Sequence, residues 1–255
     1  MSSVPVPRRW IKRYATATAC QAAAVHHRWL TELGAPVPRL HAIAADHLEF
    51  EYIPGRQTRP NDLPHVAGIL GQLHHNAYAT DLSRARLDRP HTTKTGITIP
   101  DFPGPRRAAL TKLFSDGHAP QSLFAVEQAI EVLESAIDTP ACLYKDSNPR
   151  NFLISPARTD SRCVLVDFDV LTLAPPGYDL AKLVVTLTMT HGALSATTVN
   201  EALANYNAAL TSWPSVLVPV SWTALMAWAE IHHLLTSPYF GRGGYHYRWS
   251  DHSPR

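Results

Sequence analysis

The sequence predicts an α+β fold, with a small strand-bearing N-terminal part and a larger, mostly helical C-terminal part. Three observations predict it. The runs RWIKRY, LHAIAAD and LEFEYI, all before Pro54-Gly55, alternate or cluster apolar residues as short strands do. Longer stretches repeat apolar residues three and four apart, the spacing of an amphipathic helix. Later, ACLY, NFLIS and CVLVDF are apolar runs too brief for helices and divided by polar turns.

In chain order, residues 9–14 form the first predicted strand, alternating bulky and cationic side chains. A helix is expected from Thr18, where Thr18-x-x-Gln21 fits a capping box, through Ala22, Val25, Trp29 and Leu33 to a stop at Gly34. Pro36-Val37-Pro38 enforces an extended passage into two strands, closed by Pro54-Gly55. Residues 61–80 read as a helix with Val66, Ile69, Leu70 and Leu73 apolar. Residues 81–120, rich in Pro, Arg, Thr and Gly, read as mainly irregular. Leu123, Val126, Ile130, Leu133 and Ile137 mark the next helix, ended by Thr139-Pro140. After the three short strands, Gly177 to about Pro238 is helical in pattern, with Thr198-x-x-Glu201 as another capping box. The Gly-, Tyr- and His-rich tail from Gly241 onward is assigned no element.

Composition narrows the function classes. At 255 residues and 45% hydrophobic, the chain can bury a sizeable core. Its formal net charge of +2 is nearly balanced, and the one basic cluster is Arg8-Arg9 with Lys12-Arg13, which argues against nucleic acid as a partner. Cys20, Cys142 and Cys163 are widely spaced and write no disulfide framework or zinc knuckle. Fourteen histidines include the pairs His26-His27, His74-His75 and His232-His233, but neighbours on a helix point apart and no HExxH spacing occurs. They read as ordinary core or surface histidines. No signal-like apolar core opens the chain, and nowhere do about 18 apolar residues run together, so a cytoplasmic protein with no membrane partner is expected.

The chemistry lies in LYKDSNPRNFLI, CVLVDFDV and PPGYDLAKL. Asp146 and Asn151 flank a proline on a turn between two apolar runs, and Asp167 ends a third run, so its carboxylate leaves a buried strand for a polar region. Phosphoryl transfer needs such a set: a carboxylate to meet an acceptor hydroxyl, and hard oxygen ligands to hold magnesium against nucleotide phosphates.

These segments resemble the active-site signature of the aminoglycoside phosphotransferase family, within the protein-kinase-like superfamily. That family writes H-x-D-x-x-x-x-N-x-L, then a strand ending D-[FW]-[DE], then a D-L-A helix start. Here the loop runs from Tyr144 to Leu153, the strand ends Val166-Asp167-Phe168-Asp169, and the helix opens Tyr178-Asp179-Leu180-Ala181. RWLTELGAPVPRLHAI, LEFEYIPG and LGQLHHNA resemble the family's helix C, its interlobe hinge and its leucine-histidine helix, so the likeness spans roughly residues 9–190. The resemblance implies a bilobal kinase-like fold, with a reduced nucleotide-binding lobe over 1–54 and a catalytic and acceptor-binding lobe over 55–255. It implies Asp146 as catalytic base, Asn151 and Asp167 as magnesium ligands, and Asp179 as a brace of the loop. Lys12 and the hinge residues Glu51, Tyr52 and Ile53 would hold ATP or GTP.

The sequence also departs from the pattern. Its first glycine is Gly34, so the glycine-rich hairpin over the phosphates has no counterpart in it, and Lys12 is expected to carry more of the phosphate clamping. Ala23 stands where a glutamate usually pairs with that lysine, with Gln21 nearby as either a capping residue or a partner of Lys12. Tyr144 replaces the usual histidine, a position expected to be a packing brace. Asp169 reads as a solvated turn carboxylate, with metal ligand as the alternative. Trp213, Trp222 and Trp228 read as core, beside Glu230, His232 and His233 in the region that builds the family's acceptor pocket. Beyond Asp179 only Glu201, Glu230 and Asp251 are acidic, too few to pair with a polycation. The expected acceptor is a neutral or anionic hydroxylated metabolite or antibiotic, such as a nucleoside or a sugar-bearing natural product. The rival readings are choline, fructosamine or lipopolysaccharide-sugar kinases, and a pseudokinase-like binding module.

Overall fold

The computed structural model describes residues 8–117, 120, 122–156, 161–213 and 216–254. The N-terminal region comprises β1 (Arg9–Arg13), α1 (Ala17–Glu32), β2 (Leu40–Ile43) and β3 (His47–Glu51), with the strands antiparallel in the order β1-β3-β2. Trp10 lies opposite Phe50 and Lys12 opposite Leu48, so one face of β1 carries both Trp10 and Lys12. α1 buries Cys20, Ala23, Ala24, Trp29 and Leu30, and the Trp29 indole donates to Asp81 at 2.7 Å. The cap of α1 is Thr16, whose hydroxyl accepts from the Ala19 amide at 3.1 Å, and not the expected Thr18. Thr16 is the last residue in extended conformation, and that geometry decides which matching side chain caps.

The larger region begins with β4 (Arg56–Gln57) and α2 (Leu63–Thr80), followed by a hairpin of β5 (His91–Thr92) and β6 (Thr98–Ile99), then α3 (Pro103–Ser115) and α4 (Val126–Ser135). α3 corrects the irregular reading of residues 81–120. Its prolines lie in the first turn, where a missing N–H costs nothing, and Arg106 occupies the buried face beside Leu110 and Leu113. A buried cation in the apolar stripe hides the helical period. Next come β7 (Cys142–Tyr144), β8 (Phe152–Pro156), β9 (Ser161–Leu165) and β10 (Thr172–Ala174). They form the sheets β4-β8-β9 and β10-β7. The helices α5 (Tyr178–His191), α6 (Ala196–Leu210), α7 (Trp222–Thr236) and the short α8 (Trp249–His252) complete the region. Ser195, not Thr198, caps α6, accepting from the Thr198 amide at 3.0 Å.

α2 lies along α6 so closely that a Cβ on Gly71 would stand 2.3 Å from the Tyr206 carbonyl oxygen. All three cysteines are buried free thiols. His27, His74 and His232 are core residues, bonded to the Pro38 carbonyl (2.7 Å), the Tyr206 hydroxyl (2.7 Å) and the Tyr178 carbonyl (2.9 Å). Trp228 is buried and Trp222 partly so, but Trp213 is 93% exposed and is no core residue. Among the described residues no helix is long and apolar enough to cross a membrane. The architecture is the bilobal α+β plan: a small strand-and-helix N-terminal region beside a larger, mostly helical one.

Candidate active site

The loop between β7 and β8 holds Asp146 in left-handed backbone, φ 60°, and Asp167 beyond β9 has φ 56°. They are the only non-glycine residues with positive φ among those described. Each conformation costs about 1–2 kcal/mol and persists only if its surroundings impose it. At Asp146 the restraint is visible. Buried Asp179 accepts from the Lys145 amide (3.2 Å) and the Ser147 amide (3.0 Å), fixing both neighbours. Asn151 donates to the Asp146 carbonyl at 2.8 Å, and the Val166 amide donates to the Asn151 carbonyl at 2.9 Å, tying the loop to the strand that delivers Asp167.

Asp179 reaches the loop from the first turn of α5, which opens at Gly177 with φ 82°. A Cβ there would sit 2.8 Å from a Val220 methyl, so position 177 requires glycine twice over. Burial raises the Asp179 carboxyl above its usual range, opposed by the Lys145 ammonium and the loop amides. Lys145 is itself fully buried over the Phe152 ring, 4.5 Å from its centroid, and burial lowers its amine.

The Asp146 side chain is 49% exposed, and its two oxygens differ. Oδ1 receives the Tyr144 hydroxyl at 2.9 Å and lies 3.4 Å from the Lys182 ammonium. Among the described residues nothing hydrogen-bonds to Oδ2. Tyr144 is therefore more than a packing brace. Burial, then the Asp146 charge, holds its phenol well above the usual range, so it stays a proton donor. Its ring lies between Arg106 (5.0 Å), Tyr178 (5.4 Å) and His232 (6.0 Å). Arg106 donates to the Tyr178 hydroxyl, the Thr172 hydroxyl and the Phe102 carbonyl, and no carboxylate pairs with it among the described residues. Burial lowers the Lys182 amine; Asp146 acts against that, and Arg106 adds to it.

A cavity of about 320 Å³ opens beside this loop, walled by Trp10, Lys12, Phe50, Glu51, Tyr52 and Ile53 on one side and Leu153, Val166, Asp167 and Phe168 on the other. Lys12 is ion-paired with Asp167 at 2.7 Å and Asp169 at 2.5 Å. Asp169 also accepts from the Tyr14 hydroxyl at 3.2 Å, so it is a partner of Lys12 rather than a solvated turn carboxylate. Gln21 stays exposed on α1 and makes no hydrogen bond with Lys12 among the described residues. At the hinge, the Tyr52 amide donates to the Arg8 carbonyl at 3.1 Å, whereas the Ile53 amide makes no hydrogen bond among the described residues.

Asn151 spends its amide N–H on the loop, leaving its oxygen open, as is Asp167 Oδ2. Two hard oxygens fit an ion that keeps waters and phosphates as its other ligands, which is how magnesium binds. No cluster of three or more His, Cys, Asp or Glu is placed to hold a metal among the described residues.

The structure thus brings Lys12, Glu51, Tyr52, Ile53 and Asp167 to one cavity and joins Asp146 and Asn151 to it through the backbone. Sequence reasoning missed Lys182, Arg106 and Tyr245. Lys182 directly follows the D-L-A segment and was legible there; Arg106 and Tyr245 carry no motif. Tyr245, from the tail, accepts from the Asn148 amide at 2.6 Å and lies under the Arg150 guanidinium at 5.7 Å.

No curated protein matches the sequence. Among solved structures, macrolide 2'-phosphotransferase MphH from Brachybacterium faecium aligns with a TM-score of 0.58 at 16% identity, covering 91% of this chain and 76% of that one. Choline kinase LicA from Streptococcus pneumoniae aligns at 0.55 and 17%, covering 92% and 77%. Aminoglycoside phosphotransferase APH(3'')-Id from Streptomyces rimosus aligns at 0.53 and 15%, covering 89% and 86%. At such identities the likeness concerns the fold. The sequence itself matches the family model of the phosphotransferase enzymes over residues 9–216, most of its length, and the chain belongs to the phosphotransferase enzyme family.

Proposed function

We propose that the chain transfers the γ-phosphoryl group of ATP or GTP to a hydroxyl of a small molecule. The observation that carries this reading is the Lys12–Asp167 pair inside a cavity next to Asp146. In it, residues 1–54 form the nucleotide lobe and residues 55–255 the catalytic and acceptor lobe; β4 pairs with β8 from Arg56 onward, in keeping with that boundary. The nucleobase lies among Trp10, Phe50 and Phe168, with the Ile53 amide as its free hinge donor, and Lys12 meets the phosphates. Asn151 and Asp167 would hold magnesium, which would supply positive charge for the phosphoryl transfer. Asp146 Oδ2 takes the acceptor proton as the new O–P bond forms and the β–γ bridging O–P bond breaks, releasing the nucleoside diphosphate.

The fold relatives are named for macrolides, choline and aminoglycosides, so the acceptor has to be argued from local charge. Buried Glu230 is committed to the Trp249 indole (2.8 Å) and to Ser122 and Leu123, and Glu201 is exposed on α6. Among the described residues, Asp179 under the loop is spent on the Lys145 and Ser147 amides, whereas the Lys182 ammonium stands at Asp146 with the Arg106 charge behind Tyr144. A neutral or anionic hydroxylated metabolite or antibiotic fits this charge, with a nucleoside or sugar-bearing product as the leading candidate.

The test is magnesium-dependent nucleotide turnover over a panel of neutral, anionic and polyamine acceptors, with wild type and Asp146→Asn. The variant keeps the size of the side chain and removes the proton acceptor. Turnover should fall about 10²–10⁴-fold while nucleotide affinity and melting temperature hold. Equal turnover in the variant overturns Asp146 as base, and turnover confined to kanamycin-like polyamines overturns the acceptor class. A wild type that binds the nucleotide but never turns it over favours the binding-module reading, to which Ala23 in the place of a lysine-pairing glutamate also points.

A further inference from the structure

We propose that Lys182 is a second catalytic residue, its ammonium meeting the acceptor oxygen and the phosphoryl group in transit beside Asp146. The inference rests on the phosphotransfer reading given above.

Lys182 lies three residues beyond Asp179 on α5, so both leave the same face of the helix. Asp179 goes under the loop and fixes its backbone, while Lys182 comes to the carboxylate that the loop displays. The lysine side chain is only 13% exposed, so its amine is held at this place by its surroundings. Its distance to Asp146 Oδ1, 3.4 Å, is longer than a full hydrogen bond of about 2.7–3.2 Å, and Tyr144 is the closer donor to that oxygen. An ammonium has three donors, and Asp146 Oδ1 can take at most one of them, at a long distance.

The other cations around the loop are committed. Lys12 is bound by Asp167 and Asp169, Arg106 by three oxygens, Lys145 lies buried on Phe152, and Arg150 turns to the Asn148 side-chain oxygen and the Tyr245 ring. Arg106 still contributes charge behind Tyr144. As the acceptor hydroxyl gives its proton to Oδ2, negative charge grows on its oxygen and spreads over the three phosphoryl oxygens. A desolvated ammonium already in place stabilises that charge more than it does the ground state. Lys182 keeps its protons throughout; the bonds made and broken are those of the transfer itself.

Binding of Mg·ADP, with and without aluminium fluoride as a mimic of the group in transit, tests this in wild type, Lys182→Gln and Lys182→Arg by calorimetry. Wild type should bind the fluoride complex at least about 10²-fold more tightly than Mg·ADP alone. Lys182→Gln should bind Mg·ADP as wild type does and lose most of that gain; Lys182→Arg, which restores the charge, should keep part of it. Melting curves identify a variant that has lost its fold, and the arginine variant then decides alone: keeping none of the gain while folded overturns the proposal. A full gain in folded Lys182→Gln, or no gain in wild type, also overturns it. Failure of wild type to bind Mg·ADP would overturn the underlying phosphotransfer reading instead, which separates the two.

Discussion

Lys12 shows how one residue can link the two walls of a site. It leaves β1 on the face shared with Trp10, crosses the cavity edge, and ends between two carboxylates of the larger region. In the free protein those carboxylates satisfy it; in the proposed complex the phosphates compete for the same ammonium. Charge-assisted hydrogen bonds contribute about 1.5–3 kcal/mol each, or about 10- to 100-fold in affinity. Lys12→Ala is therefore expected to raise the nucleotide Michaelis constant by about that factor, with a smaller change in melting temperature because the pair is partly solvated. A nucleotide titration measures it, and an unmoved constant would remove β1 from the nucleotide site. The identity of Lys12, Asp146, Asn151 and Asp167 was legible in the sequence because each sits at a fixed offset within a short motif. Lys182 was legible in the same way, next to the D-L-A segment, but Arg106 was not, since a cation on a helix outside any motif gains its meaning only from what it faces.

At the scale of elements, periodicity located α1, α2 and α4 and marked the C-terminal stretch that holds α5, α6 and α7 as helical, because apolar residues recur at helical spacing in each. It failed for α3, whose stripe contains Arg106, and for β10, three residues long between loops. The caps fell two or three residues from their expected places, because several Thr and Ser residues satisfy a capping formula and the extended residue before the helix selects one. The tail was opaque for a different reason: its order comes from contacts and not from a repeat. The amides of His246 and Tyr247 donate to the Met189 carbonyl (2.8 and 3.0 Å), Tyr245 joins the loop between β7 and β8 at Asn148, and Trp249 of α8 is 1% exposed against Glu230. Two tryptophans that look alike in sequence thus have opposite weights. Trp249→Ala should cost about 3–5 kcal/mol by denaturant unfolding, the usual toll of emptying a buried aromatic site. Trp213→Ala, fully in water, should stay within about 0.5 kcal/mol. Equal effects would mean that the tail is not docked in solution.

Over the whole molecule, the loop backs onto a buried helical core, and that burial sets a pH dependence. His232 is buried with its Nε2 against the Tyr178 carbonyl and its ring 4.0 Å from the Tyr178 ring. Burial, then the charges of Lys182 and Arg106, hold its imidazole well below the ordinary range. The fold keeps it neutral, whereas the unfolded chain protonates it near pH 6.5. Below about pH 6.5 the unfolded state therefore binds a proton that the native state refuses, and stability falls as pH falls, by up to about 1.4 kcal/mol per pH unit for one such histidine. His74, lowered to about 3 by burial, acts with the same sign from the unfolded value down to that point. Asp179, raised by burial, acts with the opposite sign, since the fold takes up its proton before the unfolded chain does. His232→Gln can keep the donor to Tyr178 and removes the titrating group. Denaturant unfolding at about pH 7.5, 6.5 and 5.5 should then show a variant less stable at the top of the range but flatter by about one proton below pH 6.5. A variant whose slope equals that of wild type would mean that His232 is reached by protons in the native state, and that the aromatic layer behind Tyr144 is open to water.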